Sequence, residues 1–214
     1  MAALEQTGER VVGWKLGLTS GSNRDAFGVG IRPFGYLLAS RVLRSGSTIW
    51  WDEAIASGSI ENELCFQLSR DISQTVDAQT VPAHLSGVAP SFEINQARLA
   101  EGASAASRVA DNLSNWGLVP GALVPLPESW DQAAVKVSQL HNADGVSSAV
   151  GAGHIDDHFE SIATLANQVL RFGRRLEAGH WVITGAYTRA QQPATGLWSG
   201  DFGQLGRVHV RIER

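Results

Sequence analysis

Two carboxylates stand two residues apart in Ile60-Glu61-Asn62-Glu63-Leu64-Cys65-Phe66-Gln67-Leu68, a run that is otherwise largely apolar. Bulky apolar residues in a short run predict a β-strand. Side chains along a strand alternate between faces, so Glu61, Glu63, Cys65 and Gln67 share one face and Asn62, Leu64, Phe66 and Leu68 the other. Like charges held this close repel, and one is pushed toward protonation unless a cation compensates. A third carboxylate, Glu93, lies in a second β-like segment introduced by Pro90, where it points opposite to Phe92 and Ile94. Three carboxylates form an all-oxygen donor set for a hard divalent cation, Mg²⁺ or Mn²⁺, with positions left for water or substrate. A plainer role fits the same residues: two solvated glutamates on an exposed edge strand. Spacing does not choose between them.

Other arrangements are weaker. His154 and His158 lie four apart, a spacing that binds Zn²⁺ on a helix, yet Asp157 is better employed as a helix cap, which leaves His154 ahead of the helix. Cys65 shares the glutamate face, and a thiol beside anions ionises poorly, so it reads as structural. The chain contains no G-x-S-x-G elbow and no phosphate-binding P-loop, and the glycines of "FGVGIRPFG" miss the dinucleotide spacing.

The elements that must position these groups are mainly strands. β-type runs cover Val11 to Leu18, Tyr36 to Ala39, Arg41 to Ile49, Ile60 to Leu68 and Ser91 to Asn95, then Ala134 to His141, Trp181 to Tyr187 and Gly206 to Ile212. One helix is predicted from Asp157 to a stop at Gly173, with Phe159, Ile162, Ala163, Ala166, Val169 and Leu170 at helical spacing. A second, Ala-rich helix is predicted over about Gln96 to Leu113. Strands outnumber helices and do not alternate with them, so the expected fold class is α+β, mainly β.

The 214 residues, 43% hydrophobic and 18% charged, suit a single domain spanning 1–214. Lys+Arg 17 against Asp+Glu 21 gives a net charge of -4 with no basic run, which argues against nucleic acid. No apolar stretch reaches the roughly 20 residues of a bilayer span. The opening "MAALEQTGER" is not a secretory signal, and one cysteine allows no internal disulfide. These features predict a soluble, cytoplasmic protein.

Several segments carry a family resemblance. "VVGWKLGLTS" resembles the GYKIGLTS segment of the 2-oxo-4-pentenoate hydratases and 4-oxalocrotonate decarboxylases, a branch of the fumarylacetoacetate hydrolase superfamily. "IENELCFQLSRDI" resembles the branch's E-x-E metal segment, "APSFEINQAR" its PALEIVxSR segment and "VADNLSNWG" its ADNASSG segment. "LEAGHWVITGAYT" and "GLWSGDFGQLGRVHVRI" resemble its ending. The matches run in order from Val11 to Ile212. The resemblance implies a mixed β-sandwich or roll with a few flanking helices. It implies Glu61, Glu63 and Glu93 as ligands of Mg²⁺ or Mn²⁺, Lys15 as the catalytic residue, and Ser114, Thr184 and Gly185 near the substrate. It further implies a lyase of hydratase or decarboxylase type, acting on a small 2-oxo or 2-hydroxydienoate acid through an enolate and assembling as a homo-oligomer. A non-catalytic partner subunit of such a complex and an acylpyruvate C–C hydrolase are the alternatives. Two departures stand out: most of the family's N-terminal helical segment has no counterpart before Val11, and Arg32-Pro33 stands where the family has Pro-Asp.

Overall fold

Alternating burial along the strands builds two sheets around one core. The computed structural model describes residues 4, 6–19, 27–28, 32–53, 55–96, 98–100, 102–154 and 156–214. Its strands are β1 (Val11–Leu16), β2 (Phe34–Leu38), β3 (Thr48–Trp50), β4 (Ser59–Leu68), β5 (Leu85–Asn95), β6 (Asn115–Pro120), β7 (Lys136–His141), β8 (Asp144–Val150), β9 (Trp181–Gln191), β10 (Gly196–Asp201) and β11 (Arg207–Glu213). Among the described residues they are accompanied by the helices α1 (Ala105–Ala110) and α2 (His158–Arg171). One sheet has the order β2-β1-β9-β4-β5-β6, the other β3-β11-β10-β7-β8. Pairing is antiparallel except for β1 with β9 and β3 with β11. The expected α+β, mainly β class is what the chain adopts.

The sheets share a core. Leu64, Phe66, Phe92 and Ile94 of the first sheet pack in one cluster with Val137, Trp198, Val208, Val210 and Ile212 of the second. Helix α2 adds Ile162, Leu165 and Val169 to that cluster. Asp157 caps it as expected, its Oδ1 accepting from the amides of Phe159 at 2.7 Å and Glu160 at 3.0 Å. No helix among the described residues is long and apolar enough to cross a membrane.

The structure departs from expectation in instructive places. The Ala-rich helix is only Ala105–Ala110, with Ser104 as its N-cap. Before it, Gly102 takes a left-handed φ of 77°, and after it Asn112, Leu113 and Ser114 do the same at 55°, 51° and 66°. Apolar spacing therefore overstated this helix: Leu99 and Val109 are both more than a third exposed. The Arg41 to Ile49 strand is reduced to its end, since Ala39–Arg41 is a 3-10 turn, Val42 makes only an isolated bridge to Leu118, and a strand begins at Thr48. The sequence reading passed over β6, β8 and β10. Strand β8 reads DGVSSAV, too polar for an apolar alternation to show, and its partner arrives through a tight turn at Asn142 and Ala143, both left-handed.

Candidate active site

Glu61, Glu63 and Glu93 lie on the face of the six-stranded sheet that turns away from the second sheet, opposite Leu64, Phe66 and Phe92. Strand β4 runs between β5 and β9, so the solvated-edge reading of its glutamates does not hold. All three carboxylates are buried, at 4%, 3% and 2% exposure. Glu61 and Glu93 are directly paired across the β4–β5 ladder. One carboxylate oxygen from each of the three residues falls within 4.8 Å of the others, the only such ligand group among the described residues.

Each carboxylate has its own support. Glu61 Oε1 accepts from Asn95 Nδ2 at 2.8 Å and pairs with Arg189 Nε at 2.7 Å. Glu63 Oε2 accepts from the Gly185 amide at 3.0 Å. Glu93 Oε1 accepts from Asn115 Nδ2 at 2.7 Å and forms an ion pair with Lys15 Nζ. Lys15, 7% exposed, reaches this cluster from β1 and also donates to the Leu113 carbonyl at 3.3 Å. That carbonyl belongs to the left-handed turn 112–114. Asn112 pins the turn to β2 by pairing its side-chain amide with both backbone groups of Tyr36, at 2.8 and 2.9 Å. Left-handed backbone at non-glycine residues is strained, and such strain collects at functional sites.

Strand β9 bulges twice where it passes the cluster. Glu61 pairs with Arg189, Glu63 with Ala186 and Cys65 with Ile183, so β9 uses three residues for each two of β4. Bulges re-aim side chains and backbone groups. Here Gly185, at φ 135°, turns its N–H onto Glu63. The bulge is braced from the far side: buried His158 at the start of α2 bonds Thr184 Oγ1 through Nδ1 at 2.7 Å and the Tyr187 hydroxyl through Nε2 at 2.9 Å. Both ring nitrogens are thus engaged, so the His154–His158 spacing makes no zinc site.

Electrostatics follow from burial and crowding. Burial, then the charges of Glu93 and Glu61, hold the Glu63 carboxyl well above the usual range. Burial and Glu93 likewise raise Glu61, against the pull of Arg189 and Lys15. For Lys15, burial works against the ammonium, but the three carboxylates outweigh it and leave its pKa above the ordinary value. Burial pushes the Cys65 thiol up to about 12, in keeping with a structural role.

A cleft of about 640 Å³ opens over the cluster, a size suited to a small organic acid. Lys15, the three glutamates, Ser114 and Gly185 all line it. Thr184 does not, since its hydroxyl points to His158 on the opposite face. The sequence reading missed three further groups. Asn95 lies two residues from Glu93 on the same strand face, so alternation alone could have found it. Arg189 and Arg108, which also line the cleft, depend on pairing and loop packing that leave no local signal.

The donor set fits a divalent cation. Three buried carboxylates face one buried lysine and one arginine, an excess of negative charge that a hard cation held by oxygens would neutralise.

Comparison with known proteins agrees with this architecture. The chain is 31% identical to a 2-hydroxyhexa-2,4-dienoate hydratase from Comamonas testosteroni over 90% of this chain and 74% of that protein. It is 30% identical to a 2-keto-4-pentenoate hydratase from Burkholderia vietnamiensis, over 95% and 78% respectively. A 4-oxalocrotonate decarboxylase from Pseudomonas putida G7, solved with magnesium and adipate, superposes with a TM-score of 0.87 at 23% identity, covering 99% of this chain and 81% of that one. No protein-family model matches the chain.

Proposed function

The chain belongs to the 2-keto-4-pentenoate hydratase family, in the hydratase–decarboxylase branch of the fumarylacetoacetate hydrolase superfamily, and from that premise we propose that it is a divalent-cation-dependent lyase of small 2-oxo or 2-hydroxydienoate acids. The observation that carries the proposal is the convergence of Glu61, Glu63 and Glu93 on one point, with Lys15 held against Glu93. These glutamates would hold Mg²⁺ or Mn²⁺, which when bound supplies Lewis-acid stabilisation of the negative charge that develops on the substrate's C2 oxygen.

The chain's own groups do the rest. Lys15 Nζ reaches the carboxylate cluster from the cleft wall, placed to donate a hydrogen bond or relay a proton to an oxyanion formed there. Glu93 and the Leu113 carbonyl fix its direction. Asn95 and Arg189 hold Glu61, and the Gly185 amide holds Glu63, which keeps the cluster preorganised. Phe27 and Leu113, also in the cleft wall, offer apolar surface to a dienoate chain. Adding water to the dienone and releasing CO₂ from a 2-oxo-dioate both pass through the same enolate, so this set of residues serves either outcome.

The test is Mg²⁺-dependent loss of dienol absorbance by the purified protein, with CO₂ release followed in parallel. Glu61→Gln and Lys15→Ala are expected to be at least 10²-fold slower, the scale of a lost acid–base or charge-stabilising group. Equal inertness of wild type and both variants on hydroxydienoates, 2-oxo-dioates and acylpyruvates would overturn the reading.

A further inference from the structure

Within that reading, the charges lining the cleft point to a class of substrate. Arg189 sits across the β4–β9 ladder from Glu61, its side chain 56% exposed although its Nε lies 2.7 Å from a buried carboxylate. It therefore spans the cleft from floor to opening. One N–H serves Glu61, and a guanidinium carries four others in a planar fork suited to a carboxylate. Arg108, exposed on α1, also lines this cleft.

Charge balance then favours a particular ligand. Among the described lining residues, three glutamates against Lys15 and Arg189 leave one negative charge, and a divalent cation in the cluster turns this into one positive charge. Arg108 brings a second. A 2-oxo monoacid neutralises one of the two, whereas a dianion neutralises both. The C1 carboxylate and 2-oxygen belong at the cluster, so the remaining positive charge lies toward the far end of the substrate.

We propose that Arg189 and Arg108 are specificity residues that recognise a second, distal carboxylate, and that the protein prefers 2-oxo-dioates over 2-oxo monoacids. Arg108 is the more telling of the two, because it makes no contact with the carboxylate cluster among the described residues, so changing it leaves the glutamates' partners in place.

The experiment uses the full chain with saturating Mg²⁺ and two unreactive acids of equal length, adipate and hexanoate, with affinity read by calorimetry. Adipate is expected to bind wild type about tenfold or more tightly than hexanoate, the scale of one charge-assisted contact. Arg108→Gln and Arg189→Gln should each shrink that ratio severalfold, and Arg189→Lys should retain part of it. Loss of the ratio in Arg108→Gln, with its melting temperature unchanged, supports the assignment. A wild type that binds both acids equally overturns it, as does an adipate preference that survives both glutamine variants. Calorimetry needs no turnover: an adipate preference in a protein inert toward every dienoate would sink the lyase reading while leaving the distal-carboxylate site standing.

Discussion

Glu61 and Glu93 face each other directly across two central antiparallel strands, both almost fully buried. Like charges at such a pair destabilise a sheet, and burial removes the water that would screen them. The arrangement makes sense only as part of a larger charge set. Lys15 on Glu93 and Arg189 on Glu61 supply part of the compensation.

Removing one of these charges should therefore separate fold from function. In chelator, Glu63→Gln is expected to melt higher than wild type, because it removes a carboxyl whose ionised form burial and the neighbouring glutamates disfavour, while its amide oxygen still accepts from Gly185. Saturating Mg²⁺ should raise the wild-type melting temperature, by about 2.7 kcal/mol of stability at a hundredfold excess over Kd, and leave the variant nearly unmoved. Thermal denaturation with and without Mg²⁺ reads both effects. A variant less stable than wild type in chelator would contradict this account.

Lys15→Met should act in the opposite direction. It leaves Glu93 buried without its cationic partner, a loss of about 3–5 kcal/mol for a broken buried pair. Chemical denaturation in chelator measures this loss, which should narrow once Mg²⁺ is added. Turnover should fall by about 10²-fold or more even at saturating Mg²⁺.

Gly185→Ala tests the double bulge. At φ 135° a Cβ is strained, at about 1–3 kcal/mol, and relaxation of the backbone would turn the amide from Glu63. The expected result is about tenfold weaker Mg²⁺ binding by calorimetry, the effect of losing a group that orients a ligand. Unchanged affinity would mean that Glu63 is held by other means.

His158 predicts a pH window. Burial lowers its pKa to about 3, outweighing the nearby Asp157 charge, against 6.5 for an ordinary histidine. Between these values the unfolded chain binds a proton that the folded chain refuses, so stability is complete above about pH 6.5 and falls as the pH drops toward 3. The slope is about 1.4 kcal/mol per pH unit. From pH 4 to 7, the pH dependence of stability should differ between wild type and His158→Gln by about this slope, wild type losing more toward acid, whatever the variant's overall stability. Parallel slopes would count against a neutral buried imidazole.

Much of the site was legible because it obeys local rules. A period of two put Glu61 and Glu63 on one face and turned Glu93 from Phe92 and Ile94, and the structure keeps both relations. Asp157 announced its helix through a cap, which depends only on neighbouring residues. The Ala-rich segment misled for a physical reason: apolar spacing is consistent with a helix but cannot create one where no core receives it, and Leu99 and Val109 stay exposed.

By itself, then, the sequence determined the strand-rich class, the faces of β4 and β5 and the identities of three carboxylates and a lysine. Only the tertiary structure decided that β4 is interior rather than edge, which turned two solvated glutamates into buried ones. Tertiary pairing also decided that Glu61 opposes Glu93, that β9 bulges to deliver the Gly185 amide, and that Thr184 serves His158 rather than the cleft. Arg189 and Arg108 entered the site the same way. The division has one cause: alternation and capping act over two to four residues, whereas Glu61 meets Arg189 and Lys15 meets Glu93 across sheet contacts that no local pattern encodes.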